Sequence, residues 1–307
     1  MKTFIKIIEI WVPDRERTQL EFGSGLYGAF SEFKSASRQE KFAYDEGLPG
    51  KAWAQGHPLI LTQFEHSYFK RTALAQNAGL TCGIALPIFS GDFILAVVVF
   101  FCGDDEAHAG AIEIWSNANS ASQSLSLLDG YYGTLTHFAA VSRQMSMPKG
   151  YGLPGAVWDT GMPTLIEDIR KSQASSLAND ALNAGISTCL GIPFISQHAP
   201  TYVMTFLSAH ATPIAKRIQI WMPDANGEFL VCQQGYSQSS NDLAEMFETT
   251  TVAKGEGALG RVWLSGMPVI TGKQEHDYDT ELDNLSSMLA IPVIEQGHLQ
   301  AIVTFLF

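Results

Sequence analysis

The residues of this chain best suited to chemistry are its four cysteines, since thiols serve as nucleophiles, redox groups and metal ligands. They are Cys82, Cys102, Cys189 and Cys232. No two of them form a Cys-x-x-Cys motif, which favours free thiols in a reducing compartment over disulfides or a zinc site. Cys82 lies five residues before Pro87 and Cys189 four residues before Pro193, so we expect them on opposite faces of equivalent strands. We predict inert buried thiols and no catalytic residue.

A second pattern with chemical potential is Gly-x-Gly-x-x-Gly, found at residues 150–155 and 255–260. A dinucleotide site of this type needs a full crossover helix and a second parallel strand. Here Gly161 and Gly266, each followed two residues later by proline, predict helices of only two turns. We therefore interpret the glycines as turn and close-packing residues, and reject a dinucleotide site.

Metal ligands form no convincing cluster. The acidic run 275–283 could bind a hard cation through Asp277, Asp279 and Glu281, but it lacks the spacing of a calcium loop and is typical of a solvated loop. The eight histidines form no His-x-x-x-His pair. We predict no metal site.

The elements that must position these residues occur three times. Trp11, Trp115 and Trp221 each follow an Ile-x-Ile segment, and they are 104 and 106 residues apart, a separation long enough for one small domain per copy. We predict domains at residues 1–104, 105–211 and 212–307, the third being the most divergent.

Within each copy, alternating apolar residues and turn signals predict an α+β domain, a five- or six-stranded antiparallel sheet with helices packed on its faces. The strand tryptophans share their face with Glu9, Glu113 and Gln219, so partial exposure, a domain contact and burial under a helix all remain open. A second set of tryptophans lies on the short glycine-bounded helices. For these we predict burial against the sheet, with stacking on a planar ligand as the alternative. They are Trp53, Trp158 and Trp263.

Composition and charge limit the partners. With 46% hydrophobic and 16% charged residues the chain can form three cores, and its net charge of −12 opposes binding to nucleic acid or to an anionic membrane surface. Charges interrupt the N-terminal apolar stretch too early for a secretory signal, and the most apolar run, Phe93–Cys102, is too short to cross a bilayer. We expect a cytoplasmic protein.

The motifs Ile-x-Ile-Trp-x-Pro-Asp, Gly-Leu-Pro-Gly-x-x-Trp-x-x-Gly-x-Pro and Ala-Gly before a proline-containing strand, in this order, resemble bacterial GAF domains. The resemblance covers nearly the whole chain and implies a small-molecule pocket between one sheet face and its helices. Seven residues on the elements that wall the family's site are the implied ligand contacts. They are Tyr44, Trp53, Cys82, Tyr131, Trp158, Thr188 and Cys189.

The resemblance implies a non-catalytic sensory or regulatory protein that binds a small metabolite, its ligand or cofactor being unknown. We expect no output segment beyond the third copy, so signalling would pass through a separate partner protein, and a homodimer also fits the family. Two alternatives remain. One is an interaction scaffold whose pockets are filled by its own side chains. The other is an enzyme similar to free methionine sulfoxide reductases, although each copy has at most two cysteines.

Overall fold

The computed structural model describes residues 3, 5–103, 109–118, 124–171, 176–194, 200–238, 250–272 and 285–307, without the side chains of 176 and 177. It contains three antiparallel sheets of six strands, one in each sequence repeat. The predicted α+β class is therefore confirmed. The domain limits themselves stay a prediction.

The first repeat forms a sheet in the order β3-β2-β1-β6-β5-β4. Its elements are β1 (Ile5–Pro13), β2 (Gln19–Leu26), α1 (Ser31–Ser37), β3 (Lys41–Ala43), α2 (Gly47–Gln55), β4 (Leu59–Leu61), α3 (Thr72–Asn77), β5 (Cys82–Ser90) and β6 (Phe93–Cys102). Strands β1–β2 and β5–β6 are hairpins, and β1 pairs with β6 at the centre of the sheet.

The second repeat has the same topology, with β7 and β12 at its centre. Its elements are β7 (Gly110–Ser116), β8 (Ser124–Tyr131), α4 (Thr136–Ser142), β9 (Ser146–Pro148), α5 (Gly152–Thr160), β10 (Thr164–Ile166), a 3-10 turn (Ile169–Lys171), α6 (Ser176–Asn183), β11 (Thr188–Phe194) and β12 (Tyr202–Ser208).

The third repeat again places its first and last strands together, β13 beside β18. Its described elements are β13 (Arg217–Pro223), β14 (Phe229–Ser237), β15 (Thr251–Ala253), α7 (Gly257–Ser265), β16 (Val269–Gly272), β17 (Ser287–Glu295) and β18 (His298–Leu306).

Glycines fix the short helices α2, α5 and α7 as the sequence predicts. The helices end at Gly56, Gly161 and Gly266, whose φ angles of 70°, 68° and 69° are left-handed. A Cβ on Gly155 would lie 2.1 Å from the carbonyl oxygen of Pro148, so only glycine lets α5 pack directly on β9. The structural interpretation of the Gly-x-Gly-x-x-Gly segments agrees with this geometry.

The two sets of tryptophans have different environments. The three strand tryptophans are completely buried, and Trp11 shares one core with Leu48 and Ala52 of α2. Partial exposure of this set, one of the alternatives left open, is wrong. The helix tryptophans Trp53 and Trp158 are instead half buried at the margins of their cores.

The chain forms two compact units. One runs from Ile5 to Asp105, and the other contains the second and third sheets. Within this second unit, the rings of Phe206 and Phe305 are 5.6 Å apart, and the backbone N–H of Leu165 donates to Oε1 of Gln234 over 2.9 Å. The second and third repeats are therefore in direct contact.

Candidate functional site

Each repeat buries one polar side chain in its central strand, two residues before the strand tryptophan. These side chains are Glu9, Glu113 and Gln219. Each accepts a hydrogen bond from the indole N–H of that tryptophan, over 3.0, 2.9 and 3.3 Å in chain order. A carboxylate buried without compensation costs several kcal/mol, about the stability of a small domain, so its remaining partners decide what the site can do.

In the first repeat, Arg71 neutralises Glu9. Its Nη1 and Nη2 donate to Oε1 and Oε2 of the carboxylate over 2.6 and 2.9 Å, the two-point geometry favoured by guanidinium and carboxylate. Tyr27 and Ser37 add hydroxyl donors to Oε1 at 2.9 and 2.6 Å. Burial alone would raise the pKa of Glu9, but the Arg71 charge and these hydrogen bonds together lower it below its ordinary value.

The same guanidinium lies among aromatic rings. The Arg71 carbon Cζ is 4.6–5.7 Å from four ring centroids, close enough for cation–π attraction. The rings belong to Trp11, Phe33, Phe69 and Phe101. The centre of the first repeat is thus filled by an internal cation.

Among the described residues of the second repeat, no such cation pairs with the equivalent carboxyl, Glu113. Tyr132 donates to Oε1 of Glu113 over 2.9 Å, and Thr205 donates to Oε2 over 3.0 Å. All four lysines and arginines of this repeat are exposed, and none of their described ion pairs reaches Glu113. Burial raises the pKa of Glu113 despite the neighbouring hydroxyl and indole donors, which favour its ionised form.

Ser142 completes this polar group. It corresponds to Ser37, is fully buried, and lies near enough to Glu113 to favour the ionised carboxyl. Its Oγ nevertheless meets no hydrogen-bond partner of acceptable geometry among the described residues. By contrast, Ser37 donates to Glu9 and accepts from Arg71.

A cavity of about 40 Å³ adjoins Glu113 and is partly open to solvent. It lies between the sheet and α5, α6 and the 3-10 turn. Its lining is mostly apolar, with the polar groups of Glu113, Thr205 and Cys189 on the sheet side. Since one water needs roughly 10–15 Å³ of such space, the cavity has room for a few non-hydrogen atoms without rearrangement.

Smaller sheet residues account for part of this space. In the first repeat Ile7, two positions before Glu9, pairs with Phe101. In the second repeat Ala111 pairs with Leu207 at the same point of the sheet. Each second-repeat side chain is smaller than its counterpart in the first repeat. Both Ala111 and Leu207 belong to the core beneath the helices.

In the third repeat the buried group is neutral. Oε1 of Gln219 accepts from the Trp221 indole and, over 3.2 Å, from the Thr304 hydroxyl.

The acidic run considered as a cation site, 275–283, lies outside the described residues. Elsewhere in the described chain, no group of three or more His, Cys, Asp or Glu side chains is placed to hold a metal ion. None of the helices in the described part of the chain is long and apolar enough to cross a bilayer.

The structure brings one of the four second-repeat candidates, Cys189, to the cavity wall. Thr188, the preceding residue, lies on the other sheet face and donates to the carbonyl oxygen of Glu167. Tyr131 pairs with Ile112 and shares its face, away from Glu113, whereas the next residue, Tyr132, reaches the carboxyl. Trp158 is half buried at the core margin and is not among the lining residues.

The three first-repeat candidates do not converge. Cys82 is buried and pairs with Cys102, on the sheet face opposite Phe101. Tyr44 is 59% exposed, and its ring centroid is 5.2 Å from that of Trp53. Ligand contact by all seven candidates stays a prediction.

The residues of this candidate site that the sequence prediction missed are Glu113, Tyr132 and Thr205. One signal pointed to the first of them, since an acidic residue stands between the isoleucines of a strand that is otherwise apolar. Tyr132 and Thr205 join it only through packing across 19 and 92 residues of chain.

Comparisons with known proteins agree with this architecture. The sequence profile of the GAF domain family matches residues 7–114. No curated protein matches the chain. Similar solved structures include a mutated NreA protein from Staphylococcus aureus (18% identity over 36% of this chain and 80% of that one, TM-score 0.29). Another is a free methionine-R-sulfoxide reductase from Neisseria meningitidis, with 14% identity over 32% of this chain and 52% of that one and a TM-score of 0.26. A third is an A. aeolicus nlh2 GAF domain, with 25% identity over 33% of this chain and 60% of that one and a TM-score of 0.26.

The chain spans about half the length of that reductase. The family assignment depends on the profile match and on a strand order that all three repeats share. Residues 7–114 match the GAF domain family, and the three sheets of the chain are consistent with tandem GAF-like domains.

Proposed function

We propose that this chain is a regulatory protein that binds a small molecule in its second repeat. The carrying observation is the cavity beside Glu113, which combines an apolar wall with a few convergent polar groups, the usual composition of a ligand site. Glu113 also has a raised pKa and a specific set of donors, a combination that clusters at functional sites.

The test is a thermal-shift screen of the full chain against a metabolite collection, with Ala181→Leu as the matched control. Ala181 is buried and lines the cavity, so leucine would occupy the space without adding charge. We expect at least one compound to raise the Tm of the wild-type chain and to lose that effect in the variant. A hit that stabilises both proteins equally binds elsewhere, and a screen without hits argues against ligand binding.

The output of the module is proposed to be a separate protein partner in the cytoplasm, which GAF-family membership supports. Purification of a tagged chain from its own cells, with and without the screened ligand, tests this. Recovery of a partner that changes with the ligand is the expected result.

A second candidate function is an interaction scaffold, favoured by the first repeat, where Arg71 occupies the central space. A stoichiometric partner retained equally with and without ligand, and by Ala181→Leu, would support the scaffold.

The proposal includes no catalysis. Cys189 is the one cysteine of the cavity lining, and burial, followed by the nearby Glu113 charge, raises the pKa of its thiol to about 12. A thiol of that pKa is almost entirely protonated at neutral pH and is a poor nucleophile. An NADPH-coupled assay with free methionine sulfoxide should give no turnover above background. Turnover that disappears in Cys189→Ser or Cys82→Ser would support the reductase alternative.

A further inference from the structure

The first two repeats contain the same buried carboxyl in two electrostatic states. From this comparison we infer that the ligand of the second repeat carries a positively charged nitrogen group, a primary ammonium or a guanidinium, which pairs with Glu113. The inference rests on the proposed function and specifies its ligand class. Its first support is that the chain supplies such a group itself in the first repeat, through Arg71.

The position of Arg71 can be located in the second repeat. Arg71 stands eight residues before Gly79, at the Ala-Gly end of α3, and Leu177 stands eight residues before Gly185, at the Ala-Gly end of α6. Leucine carries no charge and no hydrogen-bond donor in its side chain. The second repeat has therefore kept Glu113 while losing the residue that would neutralise it.

The remaining polar group matches that of the first repeat, with one part missing. Oε1 of Glu9 accepts from Tyr27, Ser37 and Arg71, whereas Oε1 of Glu113 accepts from Tyr132 alone among the described residues. A carboxylate oxygen has two lone-pair directions, so Glu113 retains capacity for a further donor.

The unpaired hydroxyl of Ser142 also indicates that a hydrogen-bond donor is missing beside Glu113. Its counterpart Ser37 accepts a hydrogen bond from Arg71 in the first repeat. A cationic donor in the second repeat would give Ser142 the acceptor role of Ser37 and would bring a positive charge to Glu113. One chemical group would then satisfy both buried residues.

The surroundings also favour a cation. Trp115 and Phe138 occupy the places of Trp11 and Phe33, two of the rings around the Arg71 guanidinium, and both are buried in the second core. Aromatic faces attract cations, and a buried carboxylate repels anions. A volume of about 40 Å³ suits a compact nitrogen head group, and the opening to solvent leaves room for a substituent.

The competing explanation is that Glu113 is protonated and needs no counter-charge. The probe pair of methylguanidinium and N-methylurea separates the two, because these molecules have nearly the same shape and differ in charge. We would follow the indole ¹H–¹⁵N signals of the full chain during titration, assigning Trp115 from its loss in Trp115→Phe. The Trp115 indole donates directly to Glu113, so its signal reports on this carboxyl.

We expect saturable movement of the Trp115 signal with methylguanidinium, while the Trp11 and Trp221 signals stay in place. N-methylurea should bind at least about tenfold more weakly, since a hydrogen bond to a charged group is worth more than a neutral one. Glu113→Gln should weaken the binding of methylguanidinium by a similar factor. The third repeat shows that glutamine fits at this strand position, and five unmoved indole signals would confirm folding of the variant.

Leu177→Arg provides the converse test, because it places an arginine at the chain position equivalent to Arg71. It should shift the Trp115 signal without added ligand and abolish methylguanidinium binding. Equal affinity for the two probes, or methylguanidinium affinity unchanged in Glu113→Gln, would overturn the charge assignment.

The charge assignment would also be overturned if the Trp115 signal showed no response at about 10 mM methylguanidinium, a concentration that occupies most sites of millimolar Kd. The thermal-shift screen distinguishes failure of this charge assignment from failure of the proposed function. If neutral or anionic metabolites stabilise the wild-type chain but not Ala181→Leu, ligand binding stands and only the cation inference is wrong. If no compound of any charge does so, both fail.

Discussion

Replacing Arg71 with methionine tests how strongly the first repeat depends on its internal cation. Methionine keeps a long apolar stem among the aromatic rings and removes only the charge and donors that face Glu9. Both side chains are almost fully buried, at 3% and 0% exposure. Breaking one partner out of a buried ion pair costs about 3–5 kcal/mol, so the folding equilibrium constant of this module should fall roughly a hundredfold to several-thousandfold.

The assay is urea unfolding of the full chain, followed through the indole N–H signal of Trp11, which reports on the first repeat alone. The loss should also depend on pH. In the wild type, the lowered pKa of Glu9 means that its stabilisation is present above the ordinary pKa and is lost as pH falls through the folded value. In the variant, only the neutral donors Trp11, Tyr27 and Ser37 oppose burial, and the pKa of Glu9 should rise as that of Glu113 does, so ionisation destabilises the fold as pH rises. The difference between the two proteins should therefore be larger at pH 8 than at pH 5.

The double variant Glu9→Gln with Arg71→Met separates charge from packing. It removes the uncompensated carboxylate and places at this position the residue found in the third repeat. We expect it to recover most of the lost stability. A double variant as unstable as Arg71→Met, with equal losses at pH 5 and pH 8, would refute the electrostatic account and leave only the packing of the guanidinium.

Three further predictions concern the second and third repeats. The raised pKa of Glu113 should make the ligand-free second repeat lose stability as pH rises above the ordinary carboxyl range. Urea unfolding of Glu113→Gln should show a smaller slope, and Asp129, whose pKa is also raised by burial, should account for the part that remains, since Tyr132 and Cys189 titrate only at much higher pH. Gly155→Ala should lower stability by about 2–3 kcal/mol because its Cβ would meet a β9 carbonyl oxygen, whereas Gly272→Ala, where the Cβ has open space, should stay within about 0.5 kcal/mol in the same unfolding assay. Cys189, with a pKa near 12, should react with iodoacetamide at pH 8 only in unfolding concentrations of urea, and rapid labelling in buffer would contradict its burial.

Much of the fold could be predicted from the sequence because it depends on local rules. Glycines at helix ends need left-handed φ angles, and the residue after them cannot continue the helix if proline follows. These rules placed the ends of α2, α5 and α7 at Gly56, Gly161 and Gly266, as observed. Alternation of apolar residues likewise predicted the strands, and repetition of the pattern predicted three similar sheets.

The site could be predicted only in part, because it depends on contacts between distant residues. Arg71 and Glu9 are 62 residues apart, and no local pattern links them. The contact between Tyr132 and Glu113 could not be predicted for a different reason. A bulge between Ile114 and Trp115 shifts the register of β7 against β8, and simple alternation from Trp115 does not cross it.

The hydrogen bond from Leu165 to Gln234 also bears on self-association. Leu165 lies in β10, the outermost strand of the second sheet, and strands in that position attract other chains through their unpaired amides. Here the outward amide is already occupied by a glutamine of the adjoining repeat. A second copy adding a strand along this border would first have to displace Gln234, so any homodimer is expected to form through another surface.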